Sequence, residues 1–90
     1  MSISKISIRQ IKAARSLLGW SQDDLAEHSG ISKPTIGRLE AIDSDDPIGG
    51  RPETGRALAA TLEKAGVEFI AENGGGPGVR LAKRAKRRVP

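Results

Sequence analysis

The sequence predicts a mainly α fold, four to five short helices closed by a C-terminal β-hairpin. Three observations predict it. Residues 22–41 read as two short helices joined by a tight turn. Apolar residues recur at helical spacing over residues 8–18 and 52–65. Residues 67–82 alternate apolar and polar on both sides of a glycine-rich turn.

The first of these is the most informative. Ser21 is a good N-cap, and Asp24 stands three residues later in a capping-box-like arrangement. Leu25 and Ala26 face inward. Gly30 falls where the helix must stop and the chain turn, a place that favours a left-handed backbone. Ile31 is an apolar plug after the turn. Ser32 caps the second helix, and Pro34 lies in its first turn, where a missing N–H does no harm. Ile36 and Leu39 point back to the core at i, i+3 spacing. Lys33, Thr35, Gly37 and Arg38 stay off that buried stripe. A helix braced by another, with donor-bearing side chains outward, has the form needed to enter the major groove of DNA.

This stretch resembles the helix-turn-helix of the Xre family, the phage repressor–Cro type of small bacterial regulator. The features that carry the resemblance are L-G-W-S-Q before the first helix, L-A within it, S-G-I-S at the turn and I-x-R-L-E in the second helix. It extends over roughly residues 8–62 and implies a repressor-like helix-turn-helix domain, here residues 1–66. It also implies that Arg15 pairs with Glu40 near the DNA backbone, and that Gln22 reaches a phosphate. A bidentate arginine–carboxylate pair would fix the angle between the first and third helices and leave N–H donors for a phosphate. The alternatives are a solvated Arg15 and a solvated Gln22.

Composition narrows the function. Ninety residues make one small domain with a modest aliphatic core, since there is one Phe, one Trp and no Tyr. There is no Cys and a single His, so disulfides, thiolate metal sites and most acid–base or nucleophilic catalysis have nothing to work with. No metal site and no cofactor are expected, and the chain is not read as an enzyme. No small-molecule ligand is evident. No apolar run suits a membrane span, and no signal peptide is visible, so a cytoplasmic, nucleoid-associated bacterial protein is expected. Of the fifteen basic residues, six (Arg80, Lys83, Arg84, Lys86, Arg87 and Arg88) cluster at the end. Elsewhere nine bases meet eleven acids, a net of −2. The domain is therefore near neutral, with local basic positions and a basic tail.

In chain order, residues 1–6 read as a frayed arm. Ser7 caps a helix over 8–18, with Ile11, Ala14, Arg15 and Leu18 on one face and Gly19 at its end. Trp20 is expected to pack over the junction of the first two helices. Asp23, Asp24 and Glu27 are expected to form an acidic face turned away from DNA, and His28 to be a surface residue. For base readout the candidates are Lys33, Pro34, Thr35 and Arg38, with Ser32 at a phosphate. Arg38 suits guanine O6 and N7, Lys33 the same acceptors singly, and the Thr35 methyl or Pro34 a thymine methyl. Gly37 would let the helix approach the sugar-phosphate wall. Residues 41–51 read as a loop, acidic at Asp43, Asp45 and Asp46, whose Gly49, Gly50 and Arg51 offer a phosphate contact or merely a solvated linker. Pro52 opens a helix over 52–65, and Gly66 stops it.

The hairpin is expected over 67–71 and 79–82. Its glycine-rich turn lacks the Lys-Ser/Thr of a phosphate-binding P-loop. An isolated two-stranded hairpin is marginal in water. Val67, Phe69, Ile70, Val79 and Leu81 are therefore expected to pack against a second subunit as a homodimer; the alternative is that they fold back on their own chain. Residues 83–90 read as a disordered tail that adds non-specific phosphate attraction or is simply solvated. The sum is a transcriptional regulator, a repressor or autoregulator, binding double-stranded operator half-sites as a dimer. The alternatives are an antitoxin of the same fold and a protein-interaction module.

Overall fold

The computed structural model describes residues 6–42 and 52–82. It has four helices, α1 (Ile8–Leu18), α2 (Gln22–Ser29), α3 (Lys33–Ile42) and α4 (Pro52–Lys64), followed by an antiparallel hairpin of β1 (Val67–Ile70) and β2 (Gly78–Leu81). The mainly α class and the closing hairpin are as expected from the sequence. Residues 1–5, 43–51 and 83–90 lie outside the described residues, and with them Arg51, the clustered bases beyond Arg80 and the expectations for these segments.

Local chemistry accounts for the helix ends. Ser7 and Ser21 each close a reciprocal capping box. Ser21 Oγ accepts from the Asp24 N–H at 3.1 Å, and Asp24 returns a carboxylate oxygen to the Ser21 N–H at 2.9 Å. Gly19 leaves α1 with φ of 71°, and the N–H groups of Gly19 and Trp20 bond back to Ser16 and Arg15, a Schellman stop. Gly30 ends α2 with φ of 79° and one bond to the Ala26 carbonyl. Ser32 caps α3 as expected, its Oγ accepting from the Thr35 N–H at 3.3 Å. Helix α3 runs on through Ile42, so Ala41 and Ile42 are helix rather than loop. Ala41 and Ile42 are residue types that a helix accepts; the first Pro after them in the sequence is Pro47.

The core sits where the four helices and the hairpin meet. Ile11, Leu25, Ile36, Leu58 and Leu62 are fully buried, one or two from each helix. Val67 and Phe69 complete that core from β1, and Val79 packs against it from β2. Phe69 pairs with Val79 and Val67 with Leu81 across the strands, so these four share a face. This bears on two of the five residues assigned to a dimer contact. Val67 and Phe69 are interior residues of their own chain, because the hairpin lies on α1 and α4 and buries its apolar face there. Leu81, at 39% exposure, and half-buried Ile70, on the opposite face, remain accessible.

A side chain that the sequence analysis passed over anchors this hairpin. Gln10 is buried on α1. Its Oε1 accepts from the Ser7 N–H at 3.0 Å, while Nε2 donates to the Gly78 carbonyl at 3.0 Å and the Ile70 carbonyl at 3.3 Å. Ile70 and Gly78 are cross-strand partners at the mouth of the Gly-rich loop. One amide group thus closes a capping box and ties both strands to α1. The signal available was S-x-x-Q at residues 7–10, the capping-box spacing.

Candidate nucleic-acid interface

Helix α3 presents two faces. Ile36 and Glu40 are buried against the rest of the domain, and Leu39 packs beside the core. Lys33, Pro34 and Arg38 are exposed, while Thr35 and Gly37 are half-buried. The expected base-reading residues therefore share the outer side of one helix, beginning at its first turn.

What holds α3 at its angle is the ion pair expected between Arg15 and Glu40. The guanidinium grips the carboxylate with two hydrogen bonds, Nε to Oε2 at 3.0 Å and Nη2 to Oε1 at 2.8 Å. A third runs from Nη1 to the Trp20 carbonyl at 2.8 Å. Arg15 thus joins α1, the junction before α2, and α3. Glu40 is 5% exposed and Arg15 18%, so the pair is shielded from solvent but not sealed. Burial pushes the Glu40 carboxyl upward. The hydrogen bonds from Arg15 and Gln22 and the charges of Arg15 and Lys12 outweigh it and leave the group below the ordinary glutamate value. The Glu40 hydrogen bond raises Arg15 above its usual value, against an opposing effect of burial.

Gln22, expected at a phosphate, belongs to the same cluster. Its Nε2 donates to Glu40 Oε1 at 2.9 Å. The second Nε2 hydrogen and one N–H on each Arg15 terminal nitrogen are not engaged in these bonds. A Cβ built at Gly37 would meet Gln22 Oε1 at 3.6 Å, an ordinary contact. Gly37→Ala should therefore raise stability by roughly 0.5–1 kcal/mol through helix propensity. A urea unfolding curve measures this; a loss of stability would mean that Gln22 cannot share the space.

At the outer end, Ser32 Oγ donates to Thr35 Oγ1 at 2.9 Å, and Arg38 Nη2 lies 3.5 Å from the same oxygen. The Ser32 hydroxyl is thus committed to its cap and to Thr35. Among the described residues no carboxylate pairs with Arg38. Lys33 does have a partner. Its Nζ lies 3.2 Å from Asp23 Oδ1. Asp23, expected on an acidic face of α2, thus stands beside Lys33 at the start of α3. Trp20 stacks on His28, with centroids 4.4 Å apart and 13° between the planes, so the exposed histidine covers the indole. No group of three metal-ligating side chains occurs among the described residues, and no helix there is long and apolar enough to cross a membrane.

Residues 11–41, which span the end-to-end run from Ile11 through α2, the turn and most of α3, match the family model described as Helix-turn-helix. This segment is a helix-turn-helix of the Xre/Cro-like type. The match takes in Arg15, Gln22, Lys33, Thr35, Arg38 and Glu40, the residues brought together above. No curated protein matches the chain. The helix-turn-helix is a DNA-binding unit, with α3 in the place of the helix that enters the groove.

Proposed function

We propose that this chain is a dimeric transcriptional regulator, a repressor or autoregulator, that binds two operator half-sites through α3. The observation that carries the reading is the braced recognition helix. Arg15, Glu40 and Gln22 lock its inner side, while Lys33, Pro34, Thr35 and Arg38 stand on its outer side at the helix start. Affinity comes from phosphate contacts by the remaining N–H donors of Arg15 and Gln22, by backbone amides near Ser32, and by Arg51. Specificity comes from Lys33, Thr35 and Arg38, with Pro34 in apolar contact. A single module buries little surface, so two copies are needed for operator affinity. Leu81 and Ile70 are the hairpin residues left to join them.

Arg38→Ala is expected to erase preference at one base position, a loss of about 1–3 kcal/mol of discrimination there. Gln22→Ala is expected to weaken all duplexes alike. Binding to a panel of single-position duplex variants reads both effects. An Arg38→Ala protein with the same ratio of specific to random binding as the parent would overturn the readout assignment.

A further inference from the structure

The Asp23–Lys33 pair is poorly explained as a stabilising contact. Its side chains are 72% and 54% exposed, and ion pairs at such sites contribute little to folding. Asp24 closes the α2 capping box, and Asp23 adds a second carboxylate to that first turn, where the helix N-terminus favours it only modestly. Yet Asp23 sets a carboxylate beside the first residue of the recognition helix, on a face proposed to meet a polyanion. Against phosphates alone that charge is repulsive. One part of DNA compensates it: an exocyclic amino group on a base edge.

The two side chains place an acceptor and a donor 3.2 Å apart. The major-groove edge of a C·G pair offers the complement. Cytosine N4 donates, and guanine O6 and N7 beside it accept. We propose that Asp23 is a specificity-determining residue, accepting from cytosine N4 while its Lys33 partner donates to the guanine of the same pair. The inference rests on the operator reading above and adds to it a residue of α2 and the base pair it selects. In this arrangement Asp23 has two effects. It limits the directions in which a flexible lysine reaches, and it penalises any base pair that cannot repay the carboxylate with a donor.

Selection from a randomised duplex pool, using the full chain and its Asp23→Ala and Asp23→Asn variants, tests this. The parent should fix a C·G pair at one position of each half-site. Asp23→Ala should flatten that position, with discrimination of about tenfold falling to near one, while affinity for random duplex rises because a negative charge has gone. Asp23→Asn should move the preference toward A·T, since an amide suits adenine N6 and N7. A parent preference that both variants leave unchanged overturns the Asp23 assignment and spares the operator reading. A parent with no preference anywhere overturns the operator reading, and the pair with it.

Discussion

Glu40→Ala is expected to lower unfolding free energy by about 3 kcal/mol, because it strands the Arg15 guanidinium in a shielded site with two hydrogen bonds unmade. The arginine's bond to the Trp20 carbonyl survives, so the damage is centred on the hold of α1 on α3. Arg15→Ala removes the other half. The double variant should be more stable than the sum of the single losses implies, because it leaves no orphaned charge. Urea unfolding of the four proteins measures the coupling, and additivity would show that the pair does not act as a unit. The same contact fixes the acid limit. The folded-state value of Glu40 lies below the unfolded one, so its contribution is fully present above the unfolded carboxyl's pKa of about 4.3. That contribution is lost as pH falls through the lower folded value. Arg15, raised from an already high value, adds no loss at neutral or mildly alkaline pH. In Glu40→Ala this part of the acid sensitivity should vanish.

Gln10→Ala is expected to cost about 3 kcal/mol, on the order of 1 kcal/mol for each of its three hydrogen bonds. The Ile70 and Gly78 carbonyls lose the donor that pins the turn end of the hairpin to α1, beneath a loop rich in glycine. Hydrogen exchange should therefore quicken at β1 and β2 before it quickens in α2 and α3. Uniform exchange across the domain would mean that the hairpin is held by Phe69 and Val67 alone. This variant also separates the hairpin from α3, since Gln10 makes none of the hydrogen bonds around Glu40.

Comparison of the chain with its fold separates two kinds of information. The caps at Ser7, Ser21 and Ser32 and the stops at Gly19 and Gly30 were legible because each is decided within a few residues by backbone hydrogen bonding. The Arg15–Glu40 pair was legible only through family resemblance. Spacing alone does not bring together residues from two helices. Gln10 escaped because its partners lie 60 and 68 residues away, and a polar residue next to Arg9 looks like solvent-facing surface. The hairpin's alternation announced an apolar face at Val67 and Phe69, but not what covers it: own helices and a second subunit satisfy the same pattern. The neighbours of Asp23 and Gly37 escaped for one shared reason. Their surroundings depend on how α2 crosses α3, an angle set by packing at Leu25 and Ile36 rather than by any local motif.

Footprinting on the duplex upstream of the chain's own coding sequence, at two salt concentrations and with random DNA as competitor, tests the central claim most directly. A braced helix-turn-helix used in pairs predicts protection that survives the competitor. It should cover two half-sites whose centres lie about 10 bp apart or a multiple of that, and should weaken as salt rises. Binding that random DNA displaces completely, or no protection at either salt, would contradict it.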